Sequence, residues 1–159
     1  MNGPLRVMRS RPLLWRAGRP VPCPTLDWLV DPTLKAAVAD LERRGGVRAA
    51  ERWLDADPRR RGALADAHRR YAARRAALLT AEDWAALREH HLTRCFDGLG
   101  VAGIDTRSTG VKCLHAHVAH HLVEGNPVGA WALDRLAAEP SSRNATAPAG
   151  STRSVSTRL

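Results

Sequence analysis

Residues 111–121, VKCLHAHVAHH, hold one cysteine and four of the chain's seven histidines within eleven positions. Thiolate sulfur and neutral imidazole both bind zinc and iron. A cysteine and a histidine four apart can also act as nucleophile and base. Turning each residue by about 100° along a helix puts Cys113, His117, His120 and Glu124 on one face. His121 then lies on the flank, and His115 on the far side. Cys113 and His120 are about 10 Å apart along such an axis, too far for one ion. Closer pairs can clamp one: Cys113 with His117, or His117 with His120 or His121. The remaining ligands must come from elsewhere, and Cys95, Cys23, His90 and His91 are the candidates. The metal set is thus Cys113, His117, His120 and Cys95, with Zn or Fe as the ion. No CxxC or HExxH pattern accompanies it. The competing expectation is a packed helix, with Cys113 a small buried hydrophobe and the histidines without a task.

The segment just before this helix, STGVK at 108–112, offers a second chemistry. Backbone N–H groups and the dipole at a helix start favour an anion. Lys112, Arg107 and His115 are the candidate ligands. The spacing is not that of a Walker A loop, because Gly103 and Gly110 are too far apart and Lys112 follows no glycine. A simple turn and cap is the alternative.

The elements that position these residues read as helices. Leu34, Val38 and Leu41 recur at helical spacing over 33–44, and Gly45-Gly46 ends the run. A short helix follows at 47–54, then a longer one at 60–78 with Leu64, Ala67, Tyr71 and Leu78 inward and Arg69, Arg70 and Arg74 mostly wet. Thr80 starts a helix that ends near Cys95, with Glu82 and Asp83 at the positive end of its dipole. DGLGVAGIDTRSTG, 97–110, has four glycines in fourteen residues and reads as a loop needing positive φ or close backbone approach. Helices at 111–123 and 127–136 complete the chain. No strand pattern is evident. The expected fold is all-α: one small helical bundle of five to six helices over 23–138. An irregular basic segment, 1–22, precedes it, and a disordered tail, 139–159, follows.

Composition narrows the functional classes. The 159 residues carry a net charge of +9, and only Lys35 and Lys112 among the 25 basic residues are lysines. Arginine suits phosphate, so a polyanion such as nucleic acid is one reading. Abundant Ala, Arg, Gly and Pro with scarce Lys is also how a GC-rich genome builds a solvated surface, and no RGG run, zinc-finger spacing or aromatic platform is present. No stretch reaches the length of a membrane span, and the basic N-terminus is not expected to be a signal peptide. Three cysteines without framework spacing point to a reducing cytoplasm.

Three segments resemble the bacterial family called domain of unknown function 501, found mainly in actinobacteria. The first is Pro24-Thr25, Trp28-Leu29 and Pro32. The second is Leu41-Glu42 and Gly45, with Asp40 where the family carries arginine. The third and most specific is Val111 to His115, Ala119-His120, Asn126-Pro127 and Gly129. The resemblance covers about residues 20–138. Family members carry a further N-terminal cysteine before a proline, for which Cys23-Pro24 is the nearest match here. The resemblance implies a bacterial cytoplasmic protein with no defined activity, often encoded near a septum-formation protein and an exopolyphosphatase-like enzyme. It shifts weight to Lys112, Cys113, His115 and His120. The leading expectation is an interaction or accessory module with an unidentified partner in cell division or envelope metabolism. A metal- or anion-binding protein, enzymatic or not, ranks second, and polyanion binding through arginine third.

Overall fold

Most helices start where a side chain can accept from their free N–H groups, and α2 starts at a glycine turn. In the computed structural model, which describes residues 5–108 and 110–139, Asp31 opens α1 (Pro32–Arg43) by accepting from the Leu34 N–H at 3.0 Å. Gly45, at φ +87°, turns the chain into α2 (Gly46–Asp55). Asp57 caps α3 (Pro58–Ala77), and a reciprocal Thr80/Asp83 capping box starts α4 (Ala81–Glu89). After two 3-10 turns, Thr93–Phe96 and Val101–Gly103, the chain enters α5 (Leu114–Glu124). Asn126 then caps α6 (Pro127–Ala138), accepting from the Val128 and Gly129 N–H groups.

The all-α expectation is corrected by four short strands, and the supposedly irregular lead-in supplies three of them. β1 (Val7–Arg9) pairs antiparallel with β4 (Asp27–Leu29), and β2 (Leu13–Arg16) with β3 (Arg19–Pro22). The β2–β3 hairpin turns on Ala17 and Gly18, both at positive φ (48° and 74°), the requirement of a two-residue primed turn. Its register places Pro20 opposite Trp15 and Pro22 opposite Leu13, while Arg16 faces Arg19 and Leu14 faces Val21. The ladder therefore runs through the Arg16/Arg19 and Leu14/Val21 pairs, and the prolines take the positions whose nitrogen owes no bond.

α5 is the central element. Leu114, Val118 and Ala119 enter the main core with Val38, Leu54 and Trp131 from α1, α2 and α6. A smaller cluster of Leu13, Leu79, Leu87 and Phe96 packs the hairpin onto α4. Gly129 lets α6 lie close on α5: a Cβ there would sit 2.3 Å from the His117 carbonyl oxygen. The expected tail beyond residue 139 lies outside the described residues.

Candidate functional site

The helix expected from 111 begins only at Leu114. Cys113 is its N-cap residue, on extended backbone (φ −151°). The 100° rule therefore does not run across it, and Cys113 meets His115 instead of His117. Glu42 completes the group. Its Oε1 accepts the Leu114 N–H at 2.6 Å, capping α5 from α1, and its Oε2 lies 3.2 Å from His115 Nδ1. The other ring nitrogen, His115 Nε2, donates to the Lys35 carbonyl at 3.1 Å. One ligand atom each from Glu42, Cys113 and His115 lies within 4.8 Å of the others, all three residues half-buried. Burial pushes the Cys113 thiol pKa up. The Ala116 N–H pulls it back, and the Glu42 carboxylate pushes it up again. This sulfur is a thiol and not a ready nucleophile.

Cys113 and His115 line a cavity of about 350 Å³. Trp28, Leu29, Ala102 and Ala116 give it apolar walls, and Lys35 and Asp27 bring opposite charges to it. Asp27 is 2% exposed. Its Oδ2 accepts from Arg74, whereas Oδ1 has no hydrogen-bond donor among the described residues and faces Arg9 Nε at 3.5 Å.

His117 and His120 belong to a different system. Both are fully buried, as their helical spacing places them. Asn126 bridges them: its Oδ1 accepts from His117 Nδ1 and its Nδ2 donates to His120 Nδ1, each at 3.2 Å. His120 Nε2 then donates to Glu124 Oε2 at 3.2 Å, and Arg74 links Glu124 to Asp27. Deeper still, His68 Nδ1 accepts the Val101 N–H at 3.1 Å, and its ring meets the His117 ring edge-on at 5.7 Å. The His68 Nε2–H and the His117 Nε2 lone pair, one donor and one acceptor, have no partner among the described residues. Burial lowers the pKa of His68 to about 4 and that of His117 to about 3, each reinforced by a histidine neighbour, and lowers that of His120 against the pull of Glu124. These are neutral rings packed as core, joined by Asn126.

The other candidates are dispersed. Lys112 lines a separate cavity with Glu51 and Asp105, away from His115. Arg107 is held by Asp105 at 2.5 Å. The structure therefore does not gather Lys112, Arg107 and His115 around one anion. Cys95 packs half-buried against the hairpin cluster, its carbonyl accepting from the buried Arg75. Cys23 donates to the Thr25 carbonyl at 3.1 Å, and His90 and His91 are exposed. Cys23, Cys95 and Cys113 are all free thiols. The residues that sequence reasoning missed are Glu42, Lys35 and Asp27 at the cavity, and His68 and Asn126 in the buried network. Most of their partners lie far off in sequence: 72 residues separate Glu42 from Leu114 and 33 separate His68 from Val101, whereas Asn126 bonds within nine residues. The signal that was present lies in the segments themselves. Thr25, Trp28 and Leu29 of the first and Cys113 and His115 of the third line the cavity, and Glu42 of the second stands against the last two.

A mainly helical protein with a small N-terminal β layer and a cavity lined by two distant segments, with Glu42 of a third behind it, is the class these observations define. Residues 2–134 match the family described as Protein of unknown function (DUF501), and the chain belongs to it. The match takes in β1–β3 as well as the helices. No curated protein and no solved structure matches the chain.

Proposed function

We propose that this protein binds a small organic molecule in the cavity between β4, α1 and the start of α5. The observation that carries the reading is that the first and third segments line one cavity of about 350 Å³, within the size range of small-molecule sites, with Glu42 of the second held against its His115 wall. Its apolar walls suit a compact hydrocarbon or ring. Lys35 suits an acidic group, and Asp27, whose Oδ1 faces Arg9 at 3.5 Å without a hydrogen bond, suits a hydroxyl or amine. The test is mass spectrometry of small molecules extracted from purified protein, beside Ala116→Leu, which puts a larger side chain into the cavity. A compound released by the wild type and absent from a normally folded Ala116→Leu supports the reading. Equal recovery from both sinks it.

An accessory module with a protein partner is the second reading, and one feature favours it. Met8 and Trp28 lie directly opposite across β1 and β4, both about half exposed, and Trp15 projects from the hairpin. A partner in septum formation or envelope metabolism would dock there, in a reducing cytoplasm that keeps the three thiols free. Loss of a purified complex in Met8→Ser/Trp15→Ser, with the fold intact, is the outcome expected. No helix is long and apolar enough to cross a membrane. Polyanion binding draws less support, because Arg44, Arg69, Arg74 and Arg107 are already paired with carboxylates.

A further inference from the structure

We propose that Glu42, Cys113 and His115 form a zinc(II) site whose fourth coordination position is open at the cavity wall. The strongest reason is a conflict of lone pairs. His115 Nε2 donates its hydrogen to the Lys35 carbonyl at 3.1 Å, so a neutral ring carries its lone pair on Nδ1. That nitrogen lies 3.2 Å from Glu42 Oε2, which also offers only lone pairs. Two acceptors this close repel unless a cation lies between them. The cation is either a proton, which makes the ring imidazolium, or a metal ion.

The thiol tips the choice toward the metal. Cys113 is hydrogen-bonded to the same Glu42 carboxylate, so sulfur joins the pair, whereas a proton between His115 and Glu42 bonds those two alone. A metal uses all three, and their donor atoms lie within 4.8 Å of one another. A tetrahedral zinc with bonds of about 2.0–2.3 Å has edges of roughly 3.3–3.8 Å. The His115–Glu42 edge already falls close to that length, and the sulfur, within 4.8 Å of both, has at most about 1 Å to close.

Each ligand is also held from behind, as metal ligands are. The Lys35 carbonyl fixes the imidazole, and the Leu114 N–H fixes the second oxygen of Glu42. The extended backbone at the N-cap turns Cys113 toward them. A mixed sulfur, nitrogen and oxygen set suits zinc, and three protein ligands leave one position for water or a ligand. Cys113 and His115 both line the cavity, which places the open position there. The site goes beyond the small-molecule reading and stands without it, because an ion can bind while the cavity holds only solvent.

The experiment uses untagged full-length protein purified without chelator. Its zinc content is measured, the ion is stripped, and the protein is titrated with zinc against a chromophoric chelator and, separately, with cobalt(II). One zinc per chain is expected, together with a thiolate-to-cobalt charge-transfer band. Cys113→Ser should abolish that band. Cys113→Ser, His115→Gln and Glu42→Gln should each weaken zinc binding at least tenfold, with circular dichroism confirming the fold. Glu42→Gln keeps an oxygen for the Leu114 N–H, so it separates loss of the ion from loss of the cap. No stoichiometric zinc and no thiolate band would overturn the proposal and leave a proton between His115 and Glu42. Binding unchanged in Cys113→Ser and His115→Gln would overturn it equally, by placing the ion elsewhere.

Discussion

Mild acid should destabilise this protein through His68. The ring is fully buried, and its Nδ1 accepts the Val101 N–H. Protonation would put a charge in the core and turn that acceptor into a donor facing a donor. Burial accordingly holds the pKa at about 4, against an ordinary 6.5. The unfolded chain takes up its proton near the ordinary value, whereas the folded chain waits until about 4. Between the two, the unfolded state binds more protons, so stability falls as pH falls, and the loss is complete near the folded value. At about pH 5 the gap from the ordinary value is roughly 1.5 units, or about 2 kcal/mol at ~1.36 kcal/mol per unit. That is a large share of a folding free energy of about 5–15 kcal/mol. His117, held at about 3, moves in the same direction and extends the loss to lower pH. Urea unfolding followed by tryptophan fluorescence at about pH 7 and 5 reads the effect. The comparison is His68→Asn, whose amide oxygen can still accept from Val101 but cannot titrate. The variant should be less stable at neutral pH and lose about 2 kcal/mol less than the wild type on acidification. Equal losses in the two proteins would refute the reasoning.

Three further outcomes follow from particular contacts. Gly129→Ala would place a Cβ 2.3 Å from the His117 carbonyl oxygen and 2.4 Å from His121 Cβ. Neither can yield without parting α5 from α6, so a loss of about 3 kcal/mol or more is expected in denaturant melts. Tyr71→Phe removes the hydroxyl that accepts the Leu26 N–H at 2.7 Å, and leaving that buried N–H unpaired should cost about 1–3 kcal/mol. Ala17→Asn, at a hairpin position with φ +48°, should stabilise by a few tenths to about 1 kcal/mol and raise the melting temperature, because asparagine tolerates left-handed backbone.

The helices were legible because their stop signals and caps are local. Gly45, Thr80, Gly125 and Asn126 each act within a few residues of the helix they bound. The strands were not, for three physical reasons. They run three or four residues, too short for alternation to show. The β2–β3 turn uses Ala-Gly in place of Asn-Gly, and β3 carries two prolines that only a non-bonded edge position tolerates. Arg74, read as mostly wet, was misleading in a related way, and its neighbour Arg75 shows the same thing. Arg74 is a bridge between Asp27 and Glu124, and the buried Arg75 donates to the Cys23 and Cys95 carbonyls. Buried arginine cannot be told from wet arginine until its acceptors are known. At the candidate site, the residue types were visible in VKCLHAHVAHH but their grouping was not, because the helix begins at Leu114.

That late start, at Leu114 and not at 111, splits the histidine-rich stretch into two parts. Cys113 and His115 face α1 and the cavity, whereas His117 and His120 face Asn126 and the core. The side-chain hydrogen bonds give the two parts no common partner: Glu42 and Lys35 serve the first, Asn126 and Glu124 the second. Asn126→Ser probes the division, since a serine keeps the α6 cap but gives up the bonds to both histidines. It should lower stability by about 1–3 kcal/mol while leaving the zinc affinity of the Cys113 end within twofold. Cys113→Ser should do the reverse, and the double variant should show additive stability losses. A shift of tenfold or more in zinc affinity from Asn126→Ser, or a strongly non-additive double variant, would mean that α5 transmits between its two ends and that the histidine helix works as one unit.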